Sequence, residues 1–367
     1  MTDQQHAPLA HARHAHILSA LERDGIVRVS QLSEDLRVAA VTLRRDLQQL
    51  EEEGHLERVH GGAVPVTSTG SDSAAGPAGS PVAGGSIAVL VPSLNYYWPG
   101  VVRGMEEEAR RRGLTLLLRG ASYELQDERP VLERLVAGDD VRGLIVAPNP
   151  DAEHAQDVVQ WIDESGIPTV FVERDAMVLP GREPVESVTT DHALGAVLAA
   201  RHLAALGHRK VGLILSRESP TGRKIVKGWA TACEELELNP SEHFESQFPD
   251  RNGPGFTAAV NAAIDTALAT GVTGLLIHSD PEAMAFIDIA LNRGISVPDD
   301  LSVIAYDDEV ARLFTPALTA VSPPRAGVGA AAIDLVARRI ADPDRPVHRV
   351  VLSPTLKIRQ STAHAAE

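Results

Sequence analysis

Residues 87–114, IAVLVPSLNYYWPGVVRGMEEEARRRGL, and residues 211–238, VGLILSRESPTGRKIVKGWATACEELEL, follow one plan. Each opens on an unbroken apolar run, crosses a polar loop and closes on a helical pattern. Each also carries a small-residue step, Arg103-Gly104-Met105 in one and Lys227-Gly228-Trp229 in the other. A short apolar run followed by an amphipathic helix is the repeating unit of a parallel sheet. Further apolar runs at Gly143–Ala147, Thr169–Val172, Gly274–His278 and Ser302–Tyr306 alternate with helical patterns. The expected class is therefore α/β, with helices on both sheet faces. Two similar halves place a cleft between them at the carboxyl ends of the strands, where open α/β sheets bind ligands.

Composition breaks at Thr67–Ser86, TSTGSDSAAGPAGSPVAGGS, which has almost nothing to bury and reads as a linker. As a random coil it reaches about 25 Å. The expected organisation is a small unit over 10–66, a linker over 67–86 and a large unit over 87–363. The two lobes of the large unit are expected at about 87–188 with 306–321, and about 190–304 with 324–363.

At 367 residues with 44% hydrophobic content the chain supports more than one packed domain. Cys233 is its only cysteine, so no internal disulfide forms and a reducing cytoplasm is expected. In its helical pattern Cys233 reads as a small buried hydrophobe. The first residues, MTDQQHAPLAHARHAHIL, lack the basic and apolar blocks of a secretory signal, and no run of 18 apolar residues occurs; no membrane partner is expected. His6, His11, His14 and His16 lack accompanying ligands, so neither a metal nor a cofactor is expected.

The small unit shows three apolar helical stripes: Ile17, Leu18 and Leu21; Leu32, Leu36 and Val38; Leu43, Leu47 and Leu50. A short strand at Ile26–Val29 lies between the first two, and LERVHGGA after Gly54 reads as a strand and glycine turn. Helix, strand, helix, turn, helix and wing make a winged helix-turn-helix. With Leu43, Leu47 and Leu50 inward, Arg45, Gln49 and Glu52 take the opposite face, and Thr42, Arg44 and Gln48 its shoulders. Arginine and glutamine pair bidentately with base edges. Glu52 lies about 10 Å beyond Arg45 along the axis, outside a groove entered by the helix's first half. The same pattern also reads as a solvated helix, and a net charge of −16 does not choose between the two.

VRVSQLSEDLRVAAVTLRRDLQQLEEEGHLERVHGGA resembles the winged helix-turn-helix of DeoR-family transcriptional regulators, through T-L-R-R-D-L (42–47), L-E-x-x-G ending at Gly54 and R-V-H-G-G-A (58–63). The resemblance implies that Thr42, Arg44 and Arg45 contact DNA, that Asp46 orients the arginines, and that Arg58 and His60 belong to the wing. Ala39 departs from the family's usual serine and removes a helix N-cap.

In the large unit, polar and aromatic residues gather where apolar strands end. Asn95, Tyr96, Tyr97 and Trp98 follow the first strand, Glu173 and Arg174 another, Asp280 a third, and Asp307 and Asp308 a fourth. Aromatic faces stack on sugar C–H faces, and carboxylates and guanidinium bind hydroxyls. Tyr97 and Trp98 equally read as interface core, and Asp280 as a helix N-cap before Pro281.

IAVLVPSLNYYWPGVVRGMEEEARRRG, VFVERD, GHRKVGLIL, GISVPDDLSVIAYDDEVARLFTPALTAV and LSPTLKIRQST together resemble the effector domain of LacI-type regulators, itself similar to periplasmic sugar-binding proteins. This implies ligand contacts at Asn95, Tyr97, Trp98, Glu173, Arg174, Arg223, Phe248, Asp280 and Asp307. Three departures stand out: Ser279 where the family has asparagine, Ser322 where it has glutamine, and Ile225 where its loop arginine falls, with Arg223 two residues earlier.

Taken together, the chain is expected to be a sugar-responsive DNA-binding regulator. The expected role is a repressor of a carbohydrate-utilisation operon, acting as a homodimer or tetramer on operator DNA with a free sugar or polyol as effector. A sugar-binding protein related to transport components, without regulatory DNA binding, is the alternative. An enzyme is not expected, because no G-x-G-x-x-G, P-loop or G-x-S-x-G motif follows any strand.

Overall fold

The computed structural model describes residues 10–24, 27–28, 32–33, 36, 38, 40–52, 56–59, 62–65, 84–120, 128–138, 140–149, 154–174, 176–217, 219–238 and 244–365. The chain divides into two compact units, 1–79 and 80–367. The linker expected at 67–86 lies outside the described residues up to position 83. Among the described residues no helix is long and apolar enough to cross a membrane.

The first unit contains helices α1 (Ala10–Asp24) and α2 (Ala40–Glu52) and strands β1 (Val27–Arg28), β2 (Leu56–Val59) and β3 (Gly62–Pro65). The strands form a three-stranded antiparallel sheet in the order β1-β3-β2. Leu43, Leu47 and Leu50 of α2 are buried against Ile17 and Leu21 of α1 and Leu56 of the wing, as helical stepping requires. The middle helical pattern falls mostly outside the described residues, though Leu32 and Val38 join the same core.

In the second unit the elements run β4 (Ser86–Val91), α3 (Trp98–Arg111), β5 (Thr115–Gly120), α4 (Arg129–Val136), β6 (Val141–Val146), α5 (Ala155–Ser165), β7 (Thr169–Val172), β8 (Met177–Val178), β9 (Glu183–Pro184) and β10 (Ser187–Thr190). There follow α6 (His192–Ala205), β11 (Val211–Ser216), α7 (Gly222–Glu235), β12 (Phe244–Phe248), α8 (Phe256–Thr270), β13 (Gly274–Ile277), α9 (Asp280–Asn292) and β14 (Ser302–Tyr306). The chain closes with β15 (Thr319–Ser322), α10 (Arg325–Ala341), β16 (Arg349–Leu352) and β17 (Thr355–Lys357).

Two six-stranded sheets result, β16-β10-β7-β6-β4-β5 in lobe 1 and β12-β11-β13-β14-β15-β17 in lobe 2. All pairings are parallel except β15 with β17. Both sheets are covered on two faces, which explains their unbroken apolar strands. Along β4, Ile87, Val89 and Val91 enter one core while Ala88 and Leu90 enter the core on the other face. In lobe 2, Leu275 and Ile277 of β13 face one core and Leu276 the other.

The expected lobe limits need correction. β15 pairs with β14 and so belongs to lobe 2, whereas α10 packs on α3 and β16 pairs with β10, which returns 325–352 to lobe 1. The chain thus crosses between lobes three times, at Asp191, at 323–324 and at 353–354. An apolar run shows that a strand forms; which sheet receives it is decided by tertiary packing.

The sequence echo has a packing cause. A Cβ on Gly104 would meet the Ala326 carbonyl oxygen of α10 at 2.1 Å, and one on Gly228 would meet that of Ala193 of α6 at the same distance. Each glycine lets two helix backbones touch, and the bulky residue after it, Met105 or Trp229, fills the adjoining core.

Candidate ligand cleft and nucleic-acid head

A cavity of about 260 Å³ lies at the carboxyl ends of the strands between the lobes, at the small end of ligand cavities (about 300–1,000 Å³). Lobe 1 contributes Tyr96, Tyr97 and Trp98 after β4 and Glu173 and Arg174 after β7. Lobe 2 contributes His192 at the start of α6, Ser216, Ser219, Pro220 and Thr221 after β11, His278 and Ser279 after β13, and Asp307 after β14. Seven described non-glycine residues have positive φ, and three of them, Tyr96 (57°), Glu173 (56°) and Asp307 (97°), line this cleft. Such backbone costs energy and persists where surrounding structure demands it, typically at functional sites.

The aromatic wall is built edge to face. Tyr97 and Trp98 rings are 5.7 Å apart at 83°, and the Arg174 guanidinium lies over Trp98 at 5.7 Å from its centroid. Arg174 donates from Nε to the Pro148 carbonyl at 3.0 Å and from Nη1 to the Glu173 carbonyl at 2.9 Å, which fixes its fork at the cavity edge. Across the cleft, Tyr96 accepts a hydrogen bond from the Asp280 amide at 3.2 Å. Arg325, at the start of α10 in lobe 1, pairs with Glu309 at 2.8 Å and donates to the backbone carbonyls of Asp307 and Asp308.

Two carboxyls define the electrostatics. Burial alone would raise Glu173, but hydrogen bonds from His192 and Thr190 hold it at about 2. Burial pushes Asp307 up to about 6, against the partial pull of His192 and Arg325. His278 is lowered to about 4, first by burial, so its ring is neutral near pH 7. The cavity therefore offers hydroxyls, a neutral imidazole, one buried guanidinium and a readily protonated carboxyl between aromatic walls. That set suits a small uncharged polyhydroxylated ligand.

Of the residues expected here, Tyr97, Trp98, Glu173, Arg174 and Asp307 are brought together. Asn95 is exposed and outside the lining, and its backbone N–H donates to the Ser93 hydroxyl. Phe248 is fully buried, edge to face with Phe256 in the lobe 2 core. Arg223 lines a neighbouring depression with Arg217 and Gln247. Asp280 is fully buried, and its carboxylate accepts the amides of Asp308, Glu309, Val310 and Ala311 at 2.7–3.2 Å, so it anchors the loop after β14. Nor is it the N-cap of α9: Ser279 takes that place in a capping box with Glu282. Tyr96, expected among the strand-end aromatics, also lines the cavity; His192, Ser216, Ser219, Pro220, Thr221, His278 and Ser279 were not anticipated as lining, although the strand-end rule that found Glu173 also reaches His192, Ser216 and His278.

In the head, Arg45 and Gln49 are exposed on the face of α2 opposite its leucines, and Thr42 is half-buried. His60, Ala39 and the side chains of Arg44, Gln48 and Arg58 lie outside the described residues. The expectation that Asp46 orients the neighbouring arginines involves Arg44, whose side chain lies outside the described residues. The described partners of Asp46 are on α1: Arg13 binds it through Nε at 2.7 Å and Nη2 at 2.8 Å, and His14 lies 3.4 Å away. The Arg13 guanidinium holds the Asp46 carboxyl below its usual range, and the pair pins α2 to α1.

These features agree with comparison to known proteins. A DeoR-like helix-turn-helix domain matches residues 13–69, and a periplasmic binding protein-like domain matches residues 200–362. The HTH-type transcriptional repressor PurR of Edwardsiella ictaluri is 30% identical over 284 residues, 76% of this chain and 80% of that protein. The arabinose metabolism transcriptional repressor of Geobacillus stearothermophilus is 23% identical over 338 residues, 90% of each chain. Among solved structures, a LacI family regulator from Enterococcus faecium with bound ribose has a TM-score of 0.63 at 23% identity, covering 77% of this chain and all of its own. The chain belongs to the LacI family of transcriptional regulators, carrying a DeoR-like helix-turn-helix ahead of a periplasmic-binding-protein-like body.

Proposed function

We propose that this regulator represses a carbohydrate-utilisation operon in the cytoplasm and responds to a free sugar or polyol of monosaccharide size. It binds operator DNA as a homodimer through Thr42, Arg44, Arg45, Gln48 and Gln49 of α2, with Arg58 and His60 of the wing on the backbone. The observation that carries this reading is the small cleft cavity, with its aromatic wall from one lobe and Asp307, His278 and serine hydroxyls from the other. A phosphosugar fits poorly. Two nitrogens of Arg174, the one guanidinium among the described lining residues, are committed to backbone carbonyls, and Glu173 and Asp307 oppose an anion. The ribose held by the Enterococcus faecium regulator supports the class of ligand.

The effector is found by thermal shift against a panel of pentoses, hexoses, polyols and their phosphates, since a ligand that binds the folded state raises its melting temperature. A neutral sugar is expected to stabilise; stabilisation by the phosphates alone overturns the assignment. For the head, Arg45→Ala is expected to weaken operator binding by roughly 10- to 100-fold, the worth of a bidentate base contact, and to leave the sugar response intact. Equal operator affinity for variant and parent in a gel-shift titration removes Arg45 from the interface.

A further inference from the structure

Glu173 lines the cavity, yet its carboxylate has little left to offer a ligand. A carboxylate presents about four acceptor sites, and four donors occupy them. Tyr97 and Thr190 hydroxyls each bind Oε1 at 2.6 Å, and the Thr190 amide at 2.9 Å and His192 Nε2 at 3.3 Å bind Oε2. Tyr97, Glu173 and Thr190 belong to lobe 1. His192 is the first residue of α6, beyond the first crossover and therefore in lobe 2.

The chain of bonds continues from there. Nδ1 of His192 lies 3.0 Å from the Tyr306 hydroxyl and the His192 carbonyl lies 3.3 Å from it, so both acceptors compete for its one proton. Tyr306 ends β14 and is followed by Asp307, on the opposite wall of the cavity. Glu173, His192 and Tyr306 are 4%, 2% and 0% exposed, so water does not compete for these bonds. Space is reserved for the link as well: a Cβ on Gly195 would lie 2.5 Å from the Tyr306 hydroxyl. Because Glu173 is an acceptor, Nε2 of His192 carries the proton, and the ring has one fixed orientation.

We propose that Tyr97, Glu173, His192 and Tyr306 form a hydrogen-bonded strut across the first crossover, in which His192 and Tyr306 are positioning residues that tie the aromatic wall of the cleft to the angle between the lobes. This rests on the cleft being the effector site. A ligand seated against Tyr97 and Asp307 bears on both ends of the strut at once. Glu173, His192 and Tyr306 are buried and Tyr97 is half-buried, each with defined partners, so a displacement at either end is passed to the crossover.

The test uses full-length protein with one spin label on each lobe, at Arg134→Cys and Thr266→Cys, and measures the inter-lobe distance without and with effector. Tyr306→Phe removes both bonds between these two residues, and His192→Gln removes the Nδ1 bond while leaving the backbone carbonyl in place. Each is expected to shift or broaden the ligand-free distance, and the double variant is expected to match Tyr306→Phe. His192→Asn, which gives up the Glu173 bond instead, tests the other joint if either variant fails to fold. The effector concentration for half-maximal operator release is expected to rise roughly tenfold, with melting temperatures close to the parent's. Ligand-free distances coinciding with the parent's, or a double variant that sums the two single effects, overturn the strut. If no sugar binds the parent, the effector reading fails, and the ligand-free distances still decide the strut.

Discussion

Glu173 and Asp307 occupy equivalent places in the two lobes. Each follows the last residue of a central strand, each has positive φ, each is buried, and both face one cavity. Their carboxyls nevertheless move in opposite directions, Glu173 to about 2 and Asp307 to about 6. Burial raises both, so the difference comes from donors. The protein supplies Glu173 with four hydrogen bonds, while Asp307 has one from the Tyr96 hydroxyl, His278 Nε2 at 4.0 Å and charges that act from a distance. One carboxylate has been completed during folding, and the other keeps acceptor sites for a donor from outside.

The largest expected effect breaks the completed side. Glu173→Ala leaves the Tyr97 hydroxyl, both Thr190 donors and His192 without their acceptor. Removing one partner of a buried ionic cluster costs about 3–5 kcal/mol, so calorimetry should show the melting temperature falling by on the order of 10 °C. A drop of only a degree or two contradicts the view of Glu173 as framework.

Asp307→Asn should behave in the opposite manner. Effector affinity is expected to fall roughly 10- to 100-fold, the worth of a hydrogen bond to a charged group, with melting temperature unchanged or slightly raised. Titration calorimetry alongside thermal melting separates the two outcomes.

pH sharpens the contrast further. Glu173 has a folded pKa below its unfolded value, so the stability it brings is complete above about pH 4 and is lost as pH falls towards 2. Asp307 has a raised folded pKa, so its contribution is present at low pH and lost as pH rises through 6. A hydroxyl bound to ionised Asp307 reverses that preference. Effector affinity should rise about tenfold between pH 5 and pH 7, and the rise should vanish in Asp307→Asn. The smallest effect is expected at Asn95→Ala, a surface change that should alter effector affinity by less than about twofold.

Strands with a continuous apolar run were legible because both faces of both sheets are covered. β10, SVTT, and β12, FESQF, escaped because they lack that run, and the assignment of β15 and β16 to lobes depended on pairings between residues far apart in sequence. Tyr97, Trp98, Arg174 and Asp307 were legible from position alone, as polar or aromatic residues where strands end. Asp280 met the same criterion, yet its carboxylate is taken up by a loop beginning 28 residues later. Saturation of this kind is a three-dimensional property, invisible to spacing. Phe248 shows the converse: an aromatic residue ending β12 whose ring turns into the core.

The glycine contacts bear on how the body can deform. At Gly104 and Gly228, and again at Gly329 against the Val101 carbonyl, helix backbones meet with no side chain between them to yield. Such seams resist sliding, so each lobe behaves as a stiff jaw, and the freedom left to the body is rotation about the line joining its three crossovers. Mutations within a jaw should then change melting behaviour without changing stroke. Those at 191, 323–324 and 353–354 should change stroke at nearly constant melting temperature, so mechanical and thermal phenotypes become separable by position along the chain.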